Sequence, residues 1–284
     1  MFLDTGRVRG SVVSVSKQLG KTPRASRASR AIVNVYDSGA NPLVLKAGTK
    51  LTAKLNGKIY NFVTLTDYKF VADTVDSSGI VTKWVAKNVS VHEGTLYKYS
   101  FTVDETNKDQ RFILPTGNID TTSIEARVQK SFTDTSGYSK LWKHYNAISG
   151  IDSTSEVYHV QEAEDKQYEL IFGDGIMGKK LSSGNIIRIV YLVTKGTNEA
   201  NDIGINDREG ARTFSITSVS GGRTKNAVVI VTPSAGGESV ETIRSVKFNA
   251  PKFFQTQNRA ITADDYETLV RKDFPNIDAM AVWG

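Results

Sequence analysis

Residues 168–201 read YELIFGDGIMGKKLSSGNIIRIVYLVTKGTNEAN, and this stretch decides the fold class. Tyr168, Leu170 and Phe172 alternate with Glu169 and Ile171, the period of two that marks a strand. Gly173-Asp174-Gly175 then supplies residues that tolerate positive φ, and Gly178 follows. Ser182-Ser183-Gly184-Asn185 makes a second turn. Ile186 to Val193 is apolar and rich in β-branched residues, which predicts a buried strand. Gly173, Gly175 and Gly178 also satisfy the spacing G-x-G-x-x-G of a dinucleotide site. That chemistry needs a helix opening at the third glycine, with its N-terminus aimed at the pyrophosphate. Lys179 to Asn185 is instead a polar loop leading to a strand, so Gly173, Asp174, Gly175 and Gly178 are read as structural turn residues.

The period of two continues through most of the chain. Leu51, Ala53 and Leu55 alternate with polar residues, Asn56-Gly57 marks a two-residue hairpin turn, and Lys58 to Leu65 returns. Further strands are predicted at 80–91, 96–103 and 123–130, with 111–120 read as strand then turn. A strand pair is expected around Ser220-Gly-Gly-Arg223, and 196–210 is read as a long polar surface loop. At the start, Val8, Val12, Val15 and Leu19 fall on one helical face, with Gly20 as the stop. At the end the period changes. Ser239, Val240, Ile243 and Val246 fit a helix that Pro251 is expected to stop. Thr262-x-x-Asp265 opens a second helix carrying Tyr266, Leu269 and Val270, and 277–283 reads as a strand. The fold class is therefore α+β and predominantly β: an antiparallel β-rich domain, a short N-terminal helix and a C-terminal helix-helix-strand segment. The expected divisions are a basic helical segment at 1–30, a β-rich domain at 31–232 and an α/β segment at 233–284.

The chain of 284 residues carries a net charge of +6. Residues 1–30 hold Arg7, Arg9, Lys17, Lys21, Arg24, Arg27 and Arg30 against Asp4 alone, so the whole surplus sits there. Such a segment is either a contact for an acidic partner or nucleic acid, or a solvated linker. No run approaches the ~18 apolar residues of a membrane span, and 1–20 has no apolar core of a secretory signal. The absence of cysteine excludes disulfides, thiolate metal sites and cysteine nucleophiles. His92, His144 and His159 lie far apart and match no ligand spacing. Carboxylate pairs at Asp73 and Asp76, Glu162, Glu164 and Asp165, and Asp264 and Asp265 read as solvated faces, and Asp104 to Asp109 as a polar turn that lacks an EF-hand's glycine and closing glutamate. Tyr138, Trp142 and Tyr145 beside Lys140, Lys143 and His144 read as core aromatics with cations at the rim. No catalytic residue, cofactor or metal is expected.

Four stretches together carry a resemblance: LGKTPRASRASRAIVNV at 19–35, RFILPTGNIDTTSIEARVQ at 111–129, the strand, FGDG-x-x-G and SG-N turn of 168–201, and 236–284, GGESVETIRSVKFNAPKFFQTQNRAITADDYETLVRKDFPNIDAMAVWG. They resemble the baseplate J family, wedge proteins of contractile phage tails and related injection machines, and the matches recur from about Leu19 to Ala281. The resemblance implies a non-enzymatic structural protein of the virion, located in the tail baseplate and in the host cytoplasm during assembly. It would contact copies of itself and other wedge proteins, including a sheath-proximal subunit, and take part in the baseplate's rearrangement on infection. Alternatives are the homologous component of a secretion system or tail-like bacteriocin, or a nucleic-acid-binding module using the basic segment, though nucleic acid and membrane are not the expected partners. Family members usually continue past Trp283. The final strand is thus expected to pair with another strand or subunit, or the chain is a fragment. Expected interface residues are Arg24, Arg27 and Arg30 at one end and Tyr266, Leu269, Val270, Val282 and Trp283 at the other.

Overall fold

Alternation sets the strands. Along β1 (Arg30–Asp37), Ala31, Val33, Val35 and Asp37 are buried while their neighbours are not, as the pleat requires. In the computed structural model the described residues are 3–38, 44–104, 106, 109–134, 140–145, 150–163, 166–204, 214–218, 226–257, 259–273, 277 and 279–283. A short ribbon pairs β2 (Val44–Leu45) with β5 (Tyr68–Lys69). The first seven-stranded sheet contains β1, β3 (Lys50–Leu55), β4 (Lys58–Thr64), β6 (Val71–Val75), β7 (Val81–Glu93), β15 (Phe214–Ser218) and β16 (Asn226–Ala235). Its order is β15-β3-β4-β7-β1-β16, with β6 on β7. β15 and β16 approach each other, curling the sheet around Leu51, Phe62, Val89, Ile203 and Phe214.

The second seven-stranded sheet contains β8 (Thr95–Thr102), β9 (Arg111–Gly117), β10 (Ile119–Gln129), β11 (Leu141–His144), β12 (Val157–Glu162), β13 (Gln167–Phe172) and β14 (Ile186–Val193). Its order is β8-β14-β10-β11-β12-β13-β9; β11 and β12 are parallel and the other pairs antiparallel. Its core is aromatic: Phe112, Trp142, Tyr158 and Phe172 are buried, and Trp142 meets Phe172 edge-on with ring centres 5.4 Å apart. Among the described residues three α-helices complete the fold: α1 (Arg9–Gln18), α2 (Ile243–Thr256) and α3 (Ala263–Asp273).

The structure is β-rich, with one N-terminal and two C-terminal helices, in keeping with the expected class. Asn56 and Gly57 turn between β3 and β4 with φ of 49° and 79°, the double positive φ of a type I′ turn. α1 ends in a Schellman motif. The Gly20 amide donates to the Lys17 carbonyl and the Lys21 amide to that of Ser16, with Gly20 at φ 82°.

Several expectations are corrected. The buried face of α1 is Val12, Val13 and Ser16, whereas Val8 is 68% exposed and Val15 and Leu19 are only half-buried. Polar anchors, described below, rotate the helix from its apolar stripe. β10 begins at Ile119 rather than Ser123. It runs through an irregularity where Asp120 accepts from the Thr122 amide and the Leu192 amide donates to Ser123 Oγ, so side chains replace the missing ladder bonds. The described pairings set β15 on β3 and β16 on β1; the turn expected at Ser220–Arg223 lies outside the described residues.

The loop expected on the surface at 196–210 is anchored inward in its described part, 196–204, although Asn198 and Glu199 are exposed. Ala200 and Ile203 are buried, and the amides of Asp202 and Ile203 bond to Ser234. α2 starts at Ile243, where the Thr242 hydroxyl accepts from the Ser245 amide, rather than near Ser239. It also continues through Pro251. The ring forfeits one bond to the Lys247 carbonyl, but Pro251 is exposed while Ala250, Phe253 and Thr256 are buried, so packing on that face outweighs the loss. Finally, residues 277 and 279–283 form no strand. A strand needs a partner for its backbone groups, and the described chain offers none there.

Candidate functional site

The last part of the expected basic segment, residues 24–31, threads between elements of both sheets and the approach to α2. Residues 24–31 repeat as Arg-Ala-Ser, Arg-Ala-Ser, Arg-Ala, and Ala25, Ser26, Ala28, Ser29 and Ala31 are all buried. This period of three leaves the arginines on the outer side. The segment bonds to strands of both sheets and to the approach to α2. Arg27 exchanges two backbone bonds with Glu238, and the Glu241 amide donates to the Arg24 carbonyl. The Ala28 amide donates to Asp120 Oδ2 at 3.0 Å, and the Glu93 amide to the Ser29 carbonyl at 2.8 Å. The small side chains are required because strands of both sheets and the approach to α2 all press on this one segment.

Asn201 locks the seam. Its Oδ1 accepts from Ser29 Oγ at 2.6 Å and from the Gly237 amide at 2.8 Å, and its Nδ2 donates to the Gly237 carbonyl at 3.0 Å. A Cβ on Gly237 would lie 2.1 Å from Ser29 Oγ and 2.9 Å from Asn201 Oδ1, so a larger residue would displace the groups bonded there. Beside it Glu93, 2% exposed, accepts from Thr194 Oγ1. Burial pushes the Glu93 carboxyl pKa up, against the bond from Thr194.

The surplus cations are largely used internally. Arg9 binds both carboxylate oxygens of Glu162 and also the Glu241 carbonyl. Burial opposes its charge, but the bond and charge of Glu162 prevail and the guanidinium pKa is raised. Lys17 donates to the Glu162 carbonyl at 2.7 Å; burial lowers its pKa although Glu169 and Glu162 favour the charge. Lys21 pairs with Glu241 at 2.6 Å and Arg24 with Glu238 at 3.0 Å. Burial would raise the Glu241 pKa, but Lys21, the Arg24 amide and the Ser245 hydroxyl outweigh it and the pKa falls. Arg30 donates to Ser90 Oγ, Arg27 is half-buried and Arg7 is exposed. Of the three arginines expected at an interface, Arg24 and Arg30 are thus tied to this chain.

The turn at the end of β13 is tightly closed. A Cβ on Gly173 would sit 2.1 Å from the Gly178 carbonyl carbon. Asp174 Oδ1 accepts from the Ile176 and Met177 amides at 2.8 Å each, and the Gly175 amide donates to the Gly178 carbonyl at 3.0 Å. Gly175 and Gly178 take φ of 95° and 88°. The three glycines are used by backbone against backbone and open no helix; β14 follows.

At the other end, α2 packs on α1 and on α3, and several large apolar side chains of the C-terminal region are exposed. Phe248, Phe254, Tyr266 and Trp283 are 63%, 54%, 49% and 83% exposed, and Ile261 76%. Leu269, Val270 and Val282 are half-buried. Thr262 and Asp265 cap α3 reciprocally, the Thr262 amide donating to Asp265 Oδ2 and the Asp265 amide to Thr262 Oγ1.

The remaining candidates do not converge. Glu162 belongs to Arg9, while Glu164, Asp165 and Tyr138 lie outside the described residues. Asp76 caps its own turn through the Ser78 and Ile80 amides, as Asp104 does through Thr106. Trp142 is buried, and Lys140 pairs with Glu156. His92 contacts Ser90 Oγ; burial, then Arg30, lowers its pKa. His144 stacks on Tyr158. Among the described residues no cluster of His, Asp or Glu has the arrangement of a metal site. Sequence reasoning missed Asn201, Glu93, Glu241 and Gly237. The available signal was a buried-strand pattern ending abruptly in polar residues, as at Glu93 and Thr194.

Over 299 aligned residues the chain is 21% identical to baseplate wedge protein gp6 of Enterobacteria phage T4, an alignment covering 97% of this chain and 42% of that protein. The chain therefore spans about two fifths of the length of this relative. No protein-family model matches. The similarity supports a baseplate-related structural role, and no described helix is long and apolar enough to cross a membrane.

Proposed function

We propose that this chain is a non-enzymatic wedge component of a contractile-tail baseplate, of the baseplate J type, acting through protein–protein contacts. The observation that carries this reading is similarity to a baseplate wedge protein along nearly the whole chain. The fold agrees with the demands of the role. A ring that holds many subunits and then rearranges needs rigid bodies with extended contact surfaces. The seam of Ser29, Asn201 and Gly237 provides the rigidity. The exposed aromatics of the C-terminal region are side chains of the kind enriched where proteins meet. That end is the proposed contact with another copy or another wedge protein, in the virion and during assembly in the host cytoplasm.

Nucleic-acid binding is the weaker reading, because Arg9, Lys21 and Arg24 already have carboxylate partners. Mixing the chain with the other wedge proteins of its virus, followed by sedimentation, tests the assignment. The triple change Phe254→Ser, Tyr266→Ser and Trp283→Ser leaves the unfolding midpoint unchanged and abolishes complex formation. Unimpaired assembly by that variant overturns the interface, and steeply salt-dependent DNA affinity overturns the role.

A further inference from the structure

The chain passes between the two sheets at one place. It leaves the first sheet at the end of β7, crosses at Gly94 and starts β8, so the whole second sheet lies between residues 95 and 193. It returns at Thr194, beside the point of departure. Thr95 is the register partner of Val193, and a Cβ on Gly94 would lie 2.4 Å from the Val193 carbonyl oxygen. Gly94 has φ of 127°, which a larger residue resists. The buried Glu93 carboxylate clasps the two crossovers together, accepting from Thr194 Oγ1 and from the Lys195 amide at 3.3 Å. An inserted body carried on two adjacent crossovers has the geometry of a hinge, in which a few element-terminal residues absorb the turn.

Each sheet has its own core, and a separate small cluster of Ala28, Val63 and Leu192, with Leu65 and Leu96 at its edge, lies between them. Residues 24–29 are tied to the first body's side by the Arg27–Glu238 and Ser29–Asn201 bonds. They meet the second body through Ala25 and through the Ala28 amide on Asp120. Alanine side chains bury little, so parting there exposes little apolar surface. The strong tie lies away from the hinge. Arg9 places one guanidinium on both oxygens of Glu162, at the end of β12, and on the Glu241 carbonyl, at the approach to α2. β12 is three strands from β14 across the second sheet. A buried carboxylate stripped of its cation ordinarily forbids such a release. Here Tyr168, the register partner of Glu162 and 4% exposed, has a hydroxyl with no hydrogen-bond partner among the described residues. Burial and then the charge of Glu162 push the phenol pKa up, so it keeps a proton to donate.

We propose that residues 95–193 form a hinged body that turns about the paired crossovers at Gly94 and Thr194, latched shut by Arg9 on Glu162, with the Tyr168 hydroxyl taking over Glu162 on release. The latch has two states because Glu162 has two partners, one on α1 and one within its own sheet. The device goes beyond the baseplate reading and does not depend on it.

The chain has no cysteine, so Lys54→Cys with Ser183→Cys carries one spin label on each body. Lys54→Cys with Lys87→Cys, and Ser183→Cys with Lys98→Cys, are controls within the first and second body; all four positions are exposed. Electron–electron dipolar spectroscopy on the full chain reads the distances. Arg9→Lys keeps the charge but not the fork. It is expected to raise, at least about tenfold, the fraction of molecules whose Lys54–Ser183 distance is shifted by about 5 Å or more, with both control distances unchanged. Adding Tyr168→Phe then lowers that fraction at least about threefold, because the released Glu162 is left stranded. A single unshifted distance in Arg9→Lys and again in Arg9→Met overturns the hinge and its latch. Control distances that change in step with the test pair also overturn it, since the variant then loosens a sheet rather than turning one body on the other. A shifted fraction indifferent to Tyr168→Phe overturns the exchange of partners and with it the two-state latch. Each of these failures leaves the baseplate role standing.

Discussion

Replacing Asn201 by alanine should unhinge the molecule. The carboxamide holds two buried groups of Gly237, its amide at 2.8 Å and its carbonyl at 3.0 Å, and the hydroxyl of Ser29 at 2.6 Å. Ser29 is 1% exposed and Gly237 is buried, so water does not reach them freely. A stranded buried group costs about 1–3 kcal/mol, and a water admitted to the new space restores part of it. The expected loss is about 3–5 kcal/mol, a large share of the ~5–15 kcal/mol typical of a domain. Ser29→Ala is the control. It removes one donor but leaves Asn201 bonded to Gly237, so about 0.5–1.5 kcal/mol is expected. Because the two share a bond, the double variant loses less than the sum. Urea unfolding followed by tryptophan fluorescence and circular dichroism reads these differences at constant slope. A loss below about 1 kcal/mol for Asn201→Ala, or one equal to that of Ser29→Ala, refutes the claim that this amide joins the segments.

Gly173→Ala forces a methyl to 2.1 Å from the Gly178 carbonyl carbon, backbone against backbone, so a loss of about 2 kcal/mol or more is expected in thermal unfolding. Glu241 has a pKa held below its ordinary value, so the stability it contributes is present above the unfolded carboxylate pKa and is lost as pH falls through the folded one. Lys21→Met should therefore flatten the acid limb of stability against pH, measured by urea midpoints from about pH 5 downward. Glu93 has the opposite sign: burial raises its pKa, so its ionisation costs stability as pH rises through the folded value. Glu93→Gln should leave the protein at least as stable at pH 7 and less pH-dependent between about pH 5 and 7.

The strands that bury one face were the legible ones, and β6, exposed throughout, was not read. β3 and β14 are read directly from alternating or continuous apolar residues, and Asn56-Gly57 from its turn chemistry. The seam was not legible. Its residues are small and polar, as loop residues are, and only the approach of distant strands makes Ser29, Asn201 and Gly237 a cluster. The same blindness hid the two inward anchors of 196–204, Ala200 and Ile203. Charge misled in a related way, since the sequence shows the cations of 1–30 but not Glu162, Glu238 and Glu241, which lie far along the chain. Pro251 is the reverse case. The local rule stops a helix, and tertiary packing of Ala250 and Phe253 overrides it. In the C-terminal region the sequence reading singled out Tyr266 and Trp283 as expected contacts, while the exposure of Phe248, Phe254 and Ile261 is set by tertiary packing.

Electron cryomicroscopy of intact tails from the virus encoding this chain, with the chain fitted to the density, tests the central claim most directly. The account predicts the chain within the baseplate, its α2–α3 end covered by a neighbouring subunit over Phe254, Tyr266 and Trp283. Density that places the chain elsewhere, or leaves that aromatic face open to solvent in every copy, contradicts it.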